Sequence, residues 1–437
     1  VRSSPPVDAR TLGRSSELLG RARELIPGAS QTLSKGPTQW VQGVAPSYLE
    51  RGRGAHVWDV DGNRYLDFPM ALGPIILGHC HPAVDAAIGE QLRSGITFTL
   101  PHPLEIEVAE RIVGLVPHVE RVRFAKSGSD ATSAAVRLAR AHTGRDHVIV
   151  TGYHGWHDWY IGSTARRRGV PEAVRALVHH VPFGDLPALE AALERRPQQV
   201  ACVVCEPVGA LEPAPALLRE VVSLSRRHGA LAVFDEVITG FRLAPGGAQE
   251  HFGVQADLVC FGKALGNGMP ISALAGPADL MAGLEDVFFS GTHAGETLSL
   301  AAARATLDVL AGEPVHEHLW RLGRRLQEGV AAAIEHHGLD GWVSCSGAAP
   351  WTIVSVREPD RDGATLPAKS LLQQEMLKRG VLFNGSNFIS YAHTDADVDT
   401  AIEAYAAALA VLAAALPDGL DDHLEGPPLT PAFRTPS

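Results

Sequence analysis

Asp257-Leu-Val-Cys-Phe-Gly-Lys263-Ala-Leu-Gly-Asn-Gly-Met-Pro270 is an apolar run that stops at Gly-Lys and passes into a glycine-rich turn. A second apolar run, Ala230-Leu-Ala-Val-Phe234, stops at Asp235-Glu236. Both have the length and composition of buried strands. A lysine and an aspartate, each at the end of its own strand, can face one cleft.

Working outward, strands and helices alternate from about Pro82. The apolar patterns predict strands at Arg121–Ala125, His147–Val150, Val200–Cys205, Ala230–Phe234, Leu258–Phe261 and Ile271–Ala275. Helical periodicity falls between most of them, over Asp130–His142, Leu186–Arg195 and Ala216–His228. This alternation predicts an α/β fold whose mostly parallel sheet is covered on both faces. Before it, His56–Asp67 reads as a hairpin around an Asp-Gly-Asn turn. After it come long helices, then a smaller α+β unit with strands at Trp351–Arg357 and Phe388–Ala392 and a helix from Asp395 capped by Thr394. We expect a mobile N-terminus at 1–16, an N-terminal segment at 17–80 that joins the small domain, a large domain at 81–330 and a small domain at 331–416. The proline-rich 417–437 is either disordered or draped on the surface.

Composition narrows the partners. The 437 residues carry 38 Lys and Arg against 49 Asp and Glu, a net charge of -11, which disfavours nucleic acid. Arg166-Arg167-Arg168 is the one dense basic cluster, read as a solvated loop or as part of a lid or anion grip. Cys202 and Cys205 have metal-like spacing, but three residues apart on a strand they point to opposite faces. His79-Cys80-His81 reads as a loop, so no metal site is expected. Val1–Gly20 does not read as a secretory signal, and Ala404–Leu416 is too short to span a bilayer. A cytoplasmic location and no membrane partner are expected.

Four features collect at the carboxyl ends of the strands, where open parallel sheets bind ligands. Ser127-Gly128-Ser129 lies between a strand and a helix and suits either a simple cap or an anion site. Tyr153-His154-Gly155-Trp156 follows a strand, and Tyr153 could stack on a flat ring. Asp235 is a cap, a salt-bridge partner, or the carboxylate that keeps a pyridine nitrogen protonated. Lys263 is a surface lysine or an amine that holds an aldehyde. The last two together are what pyridoxal phosphate requires.

In this order, with Phe234-Asp-Glu-Val-Ile-Thr-Gly-Phe-Arg242, Val57–Asn63, Gly78–Pro82 and Glu206-Pro-Val208, these residues resemble the class III aminotransferases of the fold type I pyridoxal phosphate enzymes. Within that family the chain is most similar to glutamate-1-semialdehyde aminomutase and its aminotransferase relatives. The resemblance implies a seven-stranded, mostly parallel sheet in the large domain. It makes Lys263 the Schiff-base lysine and Asp235 the ring-nitrogen partner. Val237 and Tyr153 would cover the two ring faces, and Ser127, Gly128 and Ser129 would hold the phosphate. Glu206 would lie near the ring hydroxyl, and His154 belongs to the motif. Thr292, in Ser290-Gly-Thr292, would reach the phosphate of a neighbouring subunit and so implies a homodimer.

Departures from the aminomutase pattern bear on the substrate. Lys35 stands where the family carries an arginine. The Trp156–Arg168 loop is shorter than the aminomutase's and holds Trp156, Trp159 and Tyr160. Phe383–Phe388 lacks an expected glutamate and offers the amides of Asn384 and Asn387. These features favour an aminotransferase that moves an amino group from a donor such as glutamate to a keto or aldehyde acceptor, possibly a sugar or specialised-metabolite intermediate. The aminomutase and a racemase or epimerase are the alternatives.

Overall fold

The computed structural model describes residues 11–209, 211–357 and 366–431. Its centre is a seven-stranded sheet. In chain order its strands are β1 (Arg121–Ala125), β2 (His147–Thr151), β3 (Val178–His180), β4 (Val200–Cys205), β5 (Leu231–Glu236), β6 (Leu258–Phe261) and β7 (Ser272–Gly276). Their order across the sheet is β1-β7-β6-β5-β4-β2-β3. Only β7 runs antiparallel to its neighbours. The inner strands are continuous apolar runs because helices cover both faces. Val203 and Cys205 face the layer containing helix Pro215–Arg227, and Cys202 and Val204 face the layer containing helix Gly128–Thr143. The two thiols therefore lie in different layers.

Six of these strands coincide with the predicted ones to within two residues at either end. The edge strand β3 was not expected. Its three residues, Val178-His-His180, show no apolar alternation, and only pairing with β2 makes them a strand.

Two smaller sheets flank the large one. Leu49–Arg53, His56–Asp59 and Arg64–Asp67 form an antiparallel meander that Val381–Leu382 joins in parallel. Val343–Ser346, Trp351–Val356 and Ser386–Phe388 form the third sheet. The strand expected at Phe388–Ala392 thus ends where it was meant to begin. Ile389 donates its amide to Pro350, and Ser390 donates to the His393 ring at 3.0 Å, which turns the chain. Helix Asp395–Ala415 starts at the Thr394 cap, which accepts from the Asp397 amide. By length and composition it could cross a membrane, yet its Val398, Ala401, Tyr405, Leu409 and Leu412 are buried, and it packs on helices Val315–His336 and Pro367–Lys378.

The N-terminal end of the chain also differs from expectation. The first helix begins at Gly13, inside the stretch expected to be mobile; residues 1–10 lie outside the described residues. The tail is draped. Leu429 bridges to Leu366, and the Thr430 amide donates to the Thr38 carbonyl at 3.1 Å. Residues 432–437 lie outside the described residues.

Candidate active site

The site is built where β4, β5 and β6 end. Asp235 and Glu236 close β5 and point to opposite sides. Glu236 accepts from the amides of Ala248 and Gln249 at the start of a short helix, and burial pushes its carboxyl up to about 7. Asp235 faces the cleft with both oxygens engaged. Oδ1 accepts from the Val237 amide at 3.1 Å, and Oδ2 lies 2.8 Å from Nδ1 of His154. The other ring nitrogen of His154 is 3.1 Å from the Thr151 carbonyl. His154 is fully buried, and this doubly tethered ring holds Asp235 in one orientation.

Lys263 follows β6 and Gly262. Its backbone sits at φ +31°, in the left-handed region that a side-chain-bearing residue seldom occupies. Burial pushes its ammonium down to about 8; Arg242 adds to this, while Glu206 and Asp235 pull the other way. Glu206 follows β4 and accepts from the Tyr153 amide at 2.7 Å. Burial raises its carboxyl to about 7, against the opposing pull of His154. Gly152 is required here. Its φ is +105°, and a Cβ would enter the space of the Glu206 carboxylate.

Beside β1, Ser127 closes a capping box with Asp130 at the start of the 16-residue helix Gly128–Thr143. Ser127 is thus spent on the cap. The amides of Gly128 and Ser129 are left without intrahelical acceptors, at the positive end of the helix dipole. A Cβ on Gly128 would come within 2.9 Å of Val237, so its absence keeps a cradle open between this loop and Val237. A Cβ on Gly155 would strike Ser129 Oγ, which instead accepts from the Trp156 amide at 3.3 Å. An anion cradle, a branched side chain beside it, a fixed carboxylate and a lysine of lowered pKa are the parts pyridoxal phosphate needs, and these residues fit it.

The substrate-side residues divide. Lys35 and Asn384 line one cavity of about 670 Å³, together with Trp40, Arg51, Leu72 and His79. Trp156 is 67% exposed at the site's rim. Trp159 is a correction: it is buried, and its indole N–H donates to Ser133 Oγ at 2.8 Å, so it supports the site from behind. Tyr160 is likewise buried, with its hydroxyl donating to the Gly152 carbonyl at 2.9 Å. The loop is therefore a packed aromatic wall with only Trp156 free at its edge. Asn387 is the second correction. It is fully buried and accepts from the Tyr405 hydroxyl at 2.9 Å, inside the small-domain core. Thr292 lies exposed on a separate groove with Lys126 and Asp130.

Three residues that position the site were not singled out for that role in the sequence. The Asn267 side chain accepts from Leu77 N–H at 2.9 Å and donates to the Gly78 carbonyl at 3.1 Å, tying the turn after Lys263 to the N-terminal segment. Buried Gln373 accepts from Val41 N–H and donates to Phe383 and Gln39 carbonyls, pinning the cavity wall. Arg242 is buried, donates to the Ile389 and Gly73 carbonyls, and has its guanidinium pushed down to about 9 by burial. The glycines around Asn267 were a signal for the first. A lone Gln on a helix gives none for the second.

The pattern of the family Aminotransferase class-III matches residues 40–383. A glutamate-1-semialdehyde 2,1-aminomutase of Sorangium cellulosum (strain So ce56) is 38% identical over 93% of this chain and 99% of its own. Among solved structures, the pyridoxal phosphate-bound FumI protein of Sphingopyxis sp. MTA144 is 32% identical with a TM-score of 0.86, covering 94% of this chain and 99% of its own. An omega-transaminase from Sphaerobacter thermophilus is 28% identical with a TM-score of 0.81, covering 90% of this chain and 97% of its own. With the family pattern spanning most of the chain and relatives this similar along nearly their whole lengths, the chain belongs to the class III aminotransferases, pyridoxal phosphate enzymes of fold type I.

Proposed function

We propose that the protein is an intermolecular aminotransferase, taking the amino group of a donor such as glutamate and delivering it to a keto or aldehyde acceptor. The observation that carries this reading is the cavity of about 670 Å³ holding Lys35 and Asn384. Its exposed walls are mainly apolar, and polar groups among its lining, including Lys35, Arg51, Asp67 and Asn384, could orient a ligand. A five-carbon diamino intermediate would leave much of it empty, whereas a larger acceptor fills it.

Bound here, the cofactor supplies the electron sink that makes a proton at the substrate's Cα removable. The chain's residues do the rest. Asp235, fixed by His154 and Val237, pairs with the ring nitrogen. The amides of Gly128 and Ser129 grip the phosphate. The Lys263 amine would take the proton from Cα and hold it for return on the far side of the substrate nitrogen, which its lowered pKa favours because only the neutral amine accepts. Tyr153 and Val237 confine the ring. Exposed Thr292 supports a homodimer in which this segment completes the partner's phosphate site.

The names of the curated relatives favour a second reading, the aminomutase, in which the amino group moves within one molecule. The two are separated by incubating the cofactor-loaded protein with glutamate and a panel of keto and aldehyde acceptors. Formation of 2-oxoglutarate in step with aminated acceptor supports the transaminase. Conversion of one amino aldehyde into its isomer, with no 2-oxoglutarate under any acceptor, overturns it.

A further inference from the structure

A cleft of about 530 Å³ opens behind the aromatic wall, against the edge strand β3. Its floor is Val178, Val181, Ala188 and Ala192. Arg167, Arg175, Arg195 and Arg196 project around it, and Glu172, paired with Arg175, is its one carboxylate. Four arginines and one glutamate leave a charge of +3, in a chain whose net charge is -11. Such a concentration repels itself unless something neutralises it. No ion pair joins Arg167, Arg195 or Arg196 to a carboxylate among the described residues, and the Arg175 Nε is buried without a hydrogen-bond partner.

The histidines of β3 report the same field. His179 lies 2.9 Å from the ring nitrogen of His147. Burial, then Arg196, His147 and Arg195, push it down to about 4. His180 meets the Ser163 hydroxyl at 2.7 Å at the cleft's inner end. Its ring packs edge-on against Tyr160, which in turn contacts Tyr153 and His154.

We propose that this cleft is a second ligand site, which binds an anion carrying two adjacent phosphate groups. The chemistry matches on three counts. Guanidinium forks bind phosphate oxygens bidentately. Three unpaired arginines balance the roughly three charges of a diphosphate better than the two of a monophosphate. Ser163 and His180 at the inner end add neutral polar groups for the remaining oxygens. The proposal is independent of which amino acceptor the enzyme uses.

The test is calorimetric titration of the cofactor-loaded protein with pyrophosphate, and separately with glycerol phosphate, at about 0.15 M chloride. The His179 resonance is followed by NMR across pH. The expected result is saturable binding at one site per chain, tighter for pyrophosphate. His179 should titrate about one pH unit higher when the site is filled. Arg195→Ala and Arg196→Ala should each weaken binding at least about tenfold, while Arg227→Ala, which removes an arginine already paired with Glu220, leaves it unchanged. Heat that never saturates, equal affinity for the two anions, or equal weakening in all three variants would each overturn the assignment.

Discussion

The strand-end site and the cavity lined by Lys35 and Asn384 are made by opposite means. Asp235 lies in the last residues of β5, Glu206 follows β4 and Lys263 follows β6 and Gly262, so strand pairing within one sheet sets their separation. The cavity is assembled from Lys35, Trp40, Arg51, His79 and Asn384, drawn from opposite ends of the chain. Its wall is tied down where Gln373 accepts from the Val41 amide and the Thr430 amide donates to Thr38. Chemistry therefore rests on the most rigid part of the molecule, and recognition on parts that meet only when the whole chain has folded.

The comparison breaks most severely at Lys263. Lys263→Ala removes the amine proposed to move the proton at Cα, and turnover should fall by about 10^4-fold. Urea unfolding should change little, since a buried amine with a lowered pKa is already a liability. Turnover within about tenfold of wild type would remove Lys263 from the chemistry. Asp235→Asn keeps the shape but removes the charge facing His154. We expect turnover to fall by about 10^2-fold, with the cofactor still bound through the Gly128–Ser129 loop. A cofactor that dissociates instead would show that Asp235 anchors the ring as much as it tunes it.

This contrast also explains what could be read in advance. Six strands of the sheet were legible because both faces bury and the apolar runs are unbroken, as in Val200–Cys205. The placement of Asp235 and Lys263 at strand ends was legible because each charge abuts such a run. β3 was illegible because His179 and His180 carry no strand pattern. Trp159 and Asn387 were misread for one physical reason. An indole N–H or an amide oxygen suits a substrate, but in a core another side chain can take it equally well, as Ser133 accepts from Trp159 and Tyr405 donates to Asn387 Oδ1. Sequence shows the polar group and not its partner.

Arg242 joins the two regions and tests whether they are separable. It follows the Asp235 strand yet donates to Gly73 and Ile389, and its guanidinium lies 5.1 Å over the Phe388 ring. Arg242→Ala leaves two buried carbonyls unsatisfied and a void where the side chain was. The loss should be about 3 kcal/mol by urea unfolding. A loss below about 1 kcal/mol would mean that the small domain docks without this tie. Lys35→Ala acts on the cavity alone. It should raise KM for a carboxylate-bearing substrate about tenfold with kcat held, the signature of lost ground-state binding. A fall in kcat at constant KM would place Lys35 with the reacting atoms instead.

The smallest effect should come from deleting residues 417–437. Among the described residues, the tail touches none of Asp235, Lys263 or Gly128. It does hold the cavity's outer wall: Gln39 donates to the Thr430 carbonyl at 2.7 Å, Gln374 to the His423 carbonyl at 2.9 Å, and the Leu429 amide to Ser370 Oγ at 2.8 Å. Without these bonds the Pro37–Val44 wall keeps Gln373 but loses its outer support. KM for the acceptor should rise about threefold, since each lost bond contributes only about 1 kcal/mol and water replaces part of it. Cofactor affinity should stay unchanged, because the strand ends that bind it do not depend on the tail. If cofactor affinity fell with KM, the wall and the strand ends would be one cooperative unit, and the division between rigid chemistry and assembled recognition would fail.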